Sequence, residues 1–269
     1  MTKARRMMEE NIKLVDLLIE IIDARIPYTS RNPDIDAMGK SKARVLVMGK
    51  ADLADPVRTQ KAQKEFEDAG FTVIAVDSRD RKLASKVQAA AFSACREKIE
   101  RDRKRGIIGR PVRAMICGIP NVGKSTLINS LAGRSSAKTG NRPGVTRGKQ
   151  WISVSRQDSR KLEILDTPGI LWPKLGDDAV GIKLALVGSI GDTILDEYAL
   201  SNELIAFMNR EYPGMLEEKY AKGSPVERIE DIAGGRNLYL KGKEPDTARA
   251  AHLLLDDFKN GRTGRISLE

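Results

Sequence analysis

The sequence predicts an α/β fold: a mostly parallel sheet with helices on both faces, followed by a small all-helical domain. Three observations support this. A glycine-rich loop at residues 118–125 lies between an apolar β-branched run and a helical pattern. Further upstream, two apolar runs enclose a helical stretch, which is typical of a strand-helix-strand unit with parallel strands. After Gly176 only helical periodicity remains. We therefore expect one domain over residues 1–175 and a second over 176–269.

Each predicted strand is a short apolar run, most of them rich in β-branched residues and bounded by turn residues. These strands cover residues 17–22, 43–48, 71–76, 112–117, 151–154 and 162–165. The helices of the same region are predicted at about 3–14, 56–69, 83–104 and 124–131, and the third is expected to be one long charged helix. Later helices are predicted at 179–190, 194–209, 215–221, 226–233 and 247–258, with Asp246 capping the last.

The chain is strongly basic, with a net charge of +10 and a pI of about 9.6, which indicates a polyanionic partner. Residues 96–113 hold eight Lys/Arg against three acids, and residues 134–149 hold five with no acid. An ordinary solvated surface is the alternative for either run. Because aromatic residues make up only 4%, recognition of folded RNA by its phosphates and shape fits better than base stacking.

Several classes of protein are disfavoured by the composition. The longest apolar stretch, residues 14–22, is interrupted by Asp16 and Glu20, and it is shorter than the roughly 20 residues of a membrane span. The first residues lack the apolar segment of a signal peptide. The two cysteines, Cys95 and Cys117, are expected to be free thiols. We expect a cytoplasmic protein without a membrane partner, acting as a monomer.

The glycine-rich loop matches the phosphate-binding pattern G-x-x-x-x-G-K-S/T. Gly118 and Gly123 permit close backbone approach, so that N–H groups and the N-terminus of the next helix face a phosphate. Lys124 is expected to reach the outer phosphates and act in catalysis, and the Ser125 hydroxyl is expected to bind Mg²⁺. The predicted nucleotide contacts of the loop are Asn121, Val122, Gly123, Lys124, Ser125 and Thr126.

Two later segments are the candidate switches. Asp166 ends an apolar run and begins the tetrapeptide DTPG, so we expect it to hold Mg²⁺ through water. The N–H of Gly169 would sense the γ-phosphate. In the segment at residues 140–147, Thr146 is the best candidate to complete the Mg²⁺ shell and to contribute to catalysis, with Thr139 as a weaker competitor.

The segment KADL at residues 50–53 follows a predicted strand and is the candidate base-recognition segment. The Asp52 carboxylate can accept hydrogen bonds from guanine N1–H and N2–H₂, which adenine does not offer. Such bonds contribute about 1.5–3 kcal/mol each, enough to select GTP over ATP. Lys50 would pack its stem along the base. Ser78, after the next strand, is the position of a second base-contacting loop.

In this chain the base-recognition segment precedes the phosphate loop, and this order resembles that of the circularly permuted GTPases of ribosome assembly. The resemblance is closest to the ribosome biogenesis GTPase A family and covers essentially the whole chain. The shared segments are DARIP at 23–27, KAD at 50–52, the loop at 118–125, PGVT at 143–146, DTPG at 166–169 and GRTGR at 261–265.

The resemblance implies GTP hydrolysis, with GTP/GDP and Mg²⁺, coupled to late maturation of the large ribosomal subunit. Implied partners are rRNA and ribosomal proteins, with the helical domain contacting rRNA. Because DTPG leads directly along the chain into the helical domain, its ordering around the γ-phosphate would change RNA affinity. Asn121 resembles an asparagine that allows K⁺ to assist related GTPases, so K⁺ is a further candidate cofactor.

This chain departs from the family pattern at three places. Gly49 stands where guanine-binding segments carry asparagine, which predicts weaker guanine affinity. Ile170 stands where many GTPases carry a water-orienting glutamine. The family's alternative, a histidine near the N-terminus, aligns just before Met1, so either the start is truncated or the group is absent. His252 is expected to be structural, and no water-activating residue is identified.

Two other functions remain open from the residues. A GTP-sensing RNA-binding module with little or no hydrolysis would fit Ile170 and the missing histidine. A P-loop kinase for a small molecule would leave the guanine-directed carboxylate of Asp52 without a role. The leading prediction is a GTPase that is slow alone and is stimulated by the ribosomal subunit.

Overall fold

The computed structural model describes residues 3–77, 79–132, 150–155, 161–166, 178–190 and 196–269. The chain divides into two compact units. The first, which we call the sheet unit, comprises residues 1–52 and 56–174. The second, the helical unit, comprises residues 53–55 and 175–269. Three residues from the first quarter of the chain thus belong to the later unit, which the sequence did not lead us to expect.

The sheet unit contains a six-stranded sheet with the strand order β3-β2-β1-β4-β6-β5. All neighbouring strands are parallel except β5 and β6, which are antiparallel. The predicted α/β class with a mostly parallel sheet is therefore confirmed. The strands are β1 (Leu17–Asp23), β2 (Ala43–Gly49), β3 (Thr72–Ala75), β4 (Val112–Cys117), β5 (Gln150–Ser155) and β6 (Lys161–Asp166).

The central position of β1 explains its composition. All seven of its residues are buried, because it has a parallel neighbour on each side. The exceptions to its apolar character are Asp23, at its end, and Glu20, which is fully buried and accepts a hydrogen bond from Arg44 Nη2 at 2.9 Å. Burial raises the pKa of Glu20, although the Asn32 N–H and the Arg31 and Arg44 charges oppose this rise.

The helices of the sheet unit depart from prediction at two places. The short α2 was not predicted, although Asn32 caps it and Pro33 occupies its first turn, which are both helix-start signals. The single helix expected over 83–104 is instead two, because Cys95 leaves helical geometry (φ −96°, ψ 12°). The helices are α1 (Lys3–Ile12), α2 (Pro33–Met38), α3 (Pro56–Asp68), α4 (Leu83–Ala94), α5 (Arg96–Lys104) and α6 (Lys124–Ala132).

Both cysteines are free and buried, as expected. Burial raises the pKa of Cys95 to about 11, and it raises the pKa of Cys117 further. The Cys117 thiol lies at the end of β4 and contacts the Ile19 carbonyl oxygen at 3.6 Å. Both thiols therefore stay protonated at neutral pH and act as core residues.

In the described part of the helical unit the regular elements are helices, as predicted. Asp246 caps the last helix by accepting a hydrogen bond from the Arg249 N–H, which confirms that prediction. His252 lies on the exposed face of the same helix, 3.6 Å from Glu197. The helices are α7 (Asp178–Leu186), α8 (Glu197–Glu211), α9 (Met215–Tyr220), α10 (Ile229–Gly235) and α11 (Thr247–Lys259).

The C-terminal tail of the helical unit binds its three early residues, 53–55. The Ile266 N–H donates to the Leu53 carbonyl at 3.1 Å, and Arg265 Nε donates to the Ala54 carbonyl at 2.9 Å. The Asp55 N–H donates to the Ser267 hydroxyl at 3.1 Å. These bonds satisfy three backbone groups of residues 53–55, which form no helix or strand of their own.

Candidate nucleotide-binding site

The sheet topology brings the predicted motifs to one edge. In the parallel strands β2, β1, β4 and β6, which are neighbours in that order, every carboxyl end lies on the same side. Lys50 follows β2, Gly118 follows β4, and Asp166 is the last residue of β6. A crevice at the carboxyl ends of parallel strands is where open α/β sheets bind ligands. Motifs separated by up to 116 positions therefore share one site.

The phosphate loop has a backbone that glycine makes possible. Gly118 has a φ of +149°, and a Cβ there would lie 2.4 Å from the Ile21 carbonyl oxygen. Asn121 and Gly123 also have positive φ, at 61° and 101°. The loop then turns directly into α6 at Lys124, so the helix N-terminus faces the loop as the sequence predicted. This arrangement is a cradle for an anion, built from backbone N–H groups.

Lys124 occupies the centre of this cradle. Its side chain is 9% exposed, and Nζ donates to the Gly118 carbonyl at 3.1 Å and to the Ile119 carbonyl at 2.7 Å. The backbone of the loop thus folds around the Lys124 ammonium group. A triphosphate would give that ammonium stronger, charged acceptors than carbonyl oxygens. Ser125 is half-buried and Thr126 is exposed, both in the first turn of α6.

Gly49 lies at a close approach between β2 and the phosphate loop. A Cβ at this position would lie 3.1 Å from the Val122 carbonyl oxygen and 3.5 Å from the Ile22 carbonyl oxygen. Both neighbours are backbone atoms, so they have little freedom to move away. Because glycine has no side chain, the strand that precedes the base-recognition segment can approach the phosphate loop more closely here than it could with asparagine.

Lys50 is held by residues for which the sequence had suggested no individual role. Its Nζ lies 3.1 Å from Asp23 Oδ2, at the end of the adjacent strand β1. Arg25 binds the same carboxylate through two nitrogen atoms. Its Nε lies 3.0 Å from Oδ1, and its Nη2 lies 2.8 Å from Oδ2. Lys50 also has a positive φ of 56°, an uncommon conformation for a lysine. Asp23 thus positions the residue that was predicted to pack along the base.

The three charges form a network in which the Lys50 side chain is 23% exposed and its two partners are buried. Asp23 is fully buried and Arg25 is 1% exposed. Burial by itself would raise the pKa of Asp23, but the Arg25 and Lys50 charges and their hydrogen bonds hold it well below its usual value. Burial lowers the pKa of Lys50, and the Asp23 carboxylate opposes that shift. Asp23 is therefore ionised at neutral pH, which it must be to hold two cations.

Asp52, the predicted guanine-binding carboxylate, contacts Arg79. Arg79 Nη2 lies 2.7 Å from Asp52 Oδ2, and the arginine side chain is 75% exposed. Nε and Nη2 of the same guanidinium also bind Asp77. The N1–H and N2–H₂ edge of guanine presents donors of the same kind as a guanidinium group. Arg79 therefore occupies the acceptor that the base would use.

If Asp52 binds guanine as the sequence predicts, the base must displace Arg79, and removing that competitor should strengthen nucleotide binding. We expect Arg79→Ala to raise GDP affinity about two- to five-fold, the range expected for an exposed ion pair. Stopped-flow fluorescence with labelled GDP measures this affinity. Arg81→Ala, at another exposed arginine, is the matched control. Weaker binding in Arg79→Ala would show instead that the arginine itself contacts the nucleotide.

Several predicted site residues lie outside the described residues: Ser78, Thr139, Thr146, Gly169 and Ile170. Asp166 is described as the last position of β6, where its backbone pairs with Gln150. No group of three or more potential metal-binding side chains occurs among the described residues. Serine and aspartate both carry hard oxygen donors, which suit Mg²⁺, and the backbone places residues 125 and 166 near the same edge of the sheet.

Sequence reasoning had assigned no site role to Asp23, Arg25 and Arg79. Asp23 carried a usable signal, since an acid directly after six apolar or buried strand positions lies at the ligand-binding edge. Arg79 carried none, because an arginine in a loop of charged residues is usually solvated.

None of the helices in the described ranges is long and apolar enough to cross a membrane.

The comparisons with known proteins agree with this geometry. The family model described as 50S ribosome-binding GTPase matches residues 113–219. The chain is 40% identical to ribosome biogenesis GTPase A of Bacillus cereus, over 100% of this chain and 91% of the relative. It is 31% identical to the protein of the same name from Thermotoga maritima, over 99% of this chain and 90% of the relative. Mouse mitochondrial ribosome-associated GTPase 1 is also 31% identical, over 100% of this chain and 88% of the relative.

Two solved structures share the fold. The GDP-bound structure of TM YlqF superposes with a TM-score of 0.69 at 27% identity, covering 98% of each chain. The GNP-bound YlqF from T. maritima gives 0.68 at 28% identity, covering 100% of this chain and 98% of that one. The permuted order of motifs that the sequence predicted is thereby confirmed. A full-length match at 40% identity shows that the chain belongs to the ribosome biogenesis GTPase A family, as a guanine-nucleotide-binding, GTP-hydrolysing ribosome assembly factor.

Proposed function

We propose that this protein is a GTP-driven switch that acts as a monomer, in the cytoplasm, on the large ribosomal subunit. Its partners there are rRNA and ribosomal proteins. The family model that matches residues 113–219 is described by 50S binding, and the full-length relatives are ribosome biogenesis GTPases. GTP hydrolysis would be slow in the isolated protein and faster on the subunit. Cleavage would therefore take place mainly once the protein is bound to its assembling partner.

One observation carries the nucleotide assignment. The phosphate loop and the Lys50–Asp52 segment, which are far apart in sequence, follow strands on either side of β1 at the carboxyl edge of the sheet. A phosphate cradle and a guanine-directed carboxylate in adjacent positions fit a guanosine phosphate bound across the end of β1. Gly49 supports this, because its lack of a side chain lets the two segments approach closely.

The residues take the following roles in this proposal. Lys124 would move from the Gly118 and Ile119 carbonyls onto the outer phosphates and stabilise charge there during cleavage. Asp52 would bind the guanine edge after Arg79 leaves, and Lys50 would pack along the base while Asp23 holds its ammonium. The predicted loop contacts 121–126 would bind phosphate through backbone N–H groups.

Mg²⁺ is the proposed metal, and it neutralises phosphate charge when bound. Ser125 and Asp166 would hold it, with Thr146 completing the set when the γ-phosphate is present. K⁺ is a further candidate ion, through Asn121, whose positive φ orients the loop. Gly169 would sense the γ-phosphate, and the segment from Asp166 continues along the chain into the helical unit, which we propose as the route of the switch.

The assignment of Asp52 predicts a change of base preference in Asp52→Asn. An asparagine cannot accept both guanine donors, so GDP affinity should fall about 10²–10⁴-fold, the loss expected for two charge-assisted bonds. The new amide can donate to O2 of xanthine while its oxygen accepts from N1–H, so affinity for xanthosine diphosphate should rise. Equilibrium titration with both diphosphates measures the two effects.

The matched control is Asp68→Asn, the same chemical change at an exposed position at the end of α3. It should leave both affinities unchanged. If Asp52→Asn kept wild-type GDP affinity, the base would be recognised elsewhere. If ATP displaced bound GDP from the wild type as well as GTP does, guanine recognition as a whole would be contradicted.

A further inference from the structure

Only one of the two units of this protein carries a net positive charge. The sheet unit carries 35 Lys/Arg and 19 Asp/Glu, whereas the helical unit carries 12 Lys/Arg and 18 Asp/Glu. The net charge of +10 is therefore the difference between a strongly basic sheet unit and an acidic helical unit. A polyanion is attracted to the first and, on average, repelled by the second.

Within the sheet unit, the end of α5 and the loop after it expose a dense group of cations. Asp102 is the single acid of residues 101–110, and it is buried, with Oδ2 2.9 Å from Lys98 Nζ. The acid thus neutralises a neighbour on its own helix rather than the surface. Exposed cations surround it: Arg101, Arg103, Lys104, Arg105 and Arg110.

Three of these cations are available to a ligand. In the part of the chain that the structure describes, Arg103, Lys104 and Arg105 form no ion pair. Arg110 lies at 3.9 Å from Asp102, at the limit of an ion pair. We call Arg103, Lys104 and Arg105 the α5 triad. Three adjacent unpaired cations repel one another, so binding of phosphate groups relieves an unfavourable interaction.

The triad lies at the edge of the sheet opposite the nucleotide. The loop 105–111 leads into the amino end of β4 at Val112, and the phosphate loop leaves its carboxyl end after Cys117. A strand of six residues spans about 20 Å. Other exposed cations lie just before or at the start of strands at this same edge, and two of the acids there, Asp16 and Glu163, contact Lys98 and Arg113 respectively. These cations are Lys13, Lys40, Arg113 and Lys161.

Double-helical RNA is the partner that fits this surface. Closely spaced cations with a single, buried acid among them match a regular row of phosphates. Ile107 and Ile108 are 42% and 90% exposed in the same loop, but two side chains bury too little apolar area to hold a membrane alone. In a ribosome assembly factor, the abundant phosphate polymer is the RNA of the subunit.

We propose that the α5 triad is a docking site for the phosphate backbone of double-helical RNA in the large ribosomal subunit, separate from the nucleotide edge. This proposal rests on the proposed subunit partner. Because the site is about 20 Å from the phosphate cradle by strand length, its contribution to binding is the same with GDP and with a GTP analogue. It anchors the protein in both states, and the switch acts through other contacts.

The test compares two triple variants that each remove three positive charges. Arg103→Gln/Lys104→Gln/Arg105→Gln neutralises the triad. Lys241→Gln/Lys243→Gln/Arg249→Gln neutralises three exposed cations of the helical unit. Binding to purified large ribosomal subunits is measured by co-sedimentation across a range of KCl concentrations, with GDP and with a GTP analogue. Lys61→Gln/Lys64→Gln on α3 is a control for general charge.

The triad variant is expected to bind at least about tenfold more weakly at physiological salt, and its logarithmic salt slope should fall by about 2–3, close to one for each lost phosphate contact. The loss should be the same in both nucleotide states. The helical-unit variant, which removes the same number of charges, should lose less affinity than the triad variant. Melting temperature and GDP affinity report folding, and Lys13→Gln/Lys161→Gln at the same edge is a second, independent variant that should weaken binding in the same direction.

Several results would overturn the proposal. Wild-type subunit affinity in the triad variant would do so, as would a larger loss in the helical-unit variant. Loss of binding to anionic vesicles, with subunit binding intact, would assign the surface to a membrane instead. If the wild type itself failed to bind subunits while still binding GDP, the proposed subunit partner would fail rather than the assignment of this surface alone.

Discussion

Replacing Lys124 with alanine is expected to lower the rate of GTP cleavage by about 10²–10³-fold, the usual effect of removing one charge-stabilising donor from a reacting group. Lys124 is the single lysine of the phosphate cradle, and the loop already folds around it through two carbonyl contacts. GTP affinity should also fall, because the ammonium binds the outer phosphates in the ground state. Single-turnover cleavage at saturating GTP separates the two effects.

Two further variants make this result specific. Lys64→Ala removes an exposed lysine from α3 and should leave cleavage unchanged. Lys124→Met keeps an apolar stem in the cradle, and it should lose cleavage as completely as alanine while retaining the melting temperature. Cleavage within about threefold of wild type in Lys124→Ala, in a folded protein, would refute the role of this residue.

Asp23→Asn is expected to destabilise the protein by about 3–5 kcal/mol, the cost of removing one partner from a buried ion pair. The substitution leaves the Arg25 guanidinium, 1% exposed, and the Lys50 ammonium without their shared anion. Urea denaturation at neutral pH measures the loss. GDP affinity should fall about tenfold as well, because Lys50 loses the charge-assisted bond that holds it.

The stability difference between wild type and Asp23→Asn should depend on pH with a defined sign. The folded state lowers the pKa of Asp23 below its ordinary value of 3.8. Its carboxylate therefore contributes stability that is present above about pH 4 and is lost as the pH falls through the lowered folded-state value. The two free energies of unfolding should converge in acid. A difference that stayed constant from pH 7 to pH 3 would contradict the ionised network.

Lys50→Met provides a comparison that does not remove a buried anion. It leaves the Asp23–Arg25 pair intact and retains an apolar stem for the base. We expect GDP affinity to fall, because the Asp23 carboxylate no longer holds the stem in place, with a smaller loss of stability than in Asp23→Asn. Equal losses of stability in both variants would mean that Lys50 acts only as a structural partner of Asp23.

The strands were predictable because their signals are local. A buried parallel strand is a continuous apolar run, and β1 is the clearest case, with Glu20 as the single charged residue among its first six. The break at Cys95 was not predictable, because helical periodicity continues through this residue and neither glycine nor proline marks it. The six residues of α2 are too few for periodicity to register, although its capping residues are visible in the sequence.

The candidate site was predictable where one short segment holds all the chemistry. The phosphate loop needs only its own backbone and the helix after it, so its pattern was sufficient to predict the positive φ region around Gly118 and the helix that begins at Lys124. The Asp23–Lys50 contact joins residues 27 positions apart, and it exists because β1 and β2 are adjacent in register, with Asp23 opposite Gly49. Such contacts depend on the topology of the sheet, which motif spacing alone does not contain.

The bonds between the C-terminal tail and residues 53–55 have a consequence for dissecting this protein. A fragment that ends near residue 174 retains Leu53, Ala54 and Asp55, but it loses the tail residues that bind them, Arg265, Ile266 and Ser267. The polar groups thus deprived of partners begin one residue after Asp52. Nucleotide affinities measured on such a fragment would therefore come from a base-recognition segment whose C-terminal neighbours have lost their hydrogen-bond partners. Nucleotide binding is best measured on the whole chain.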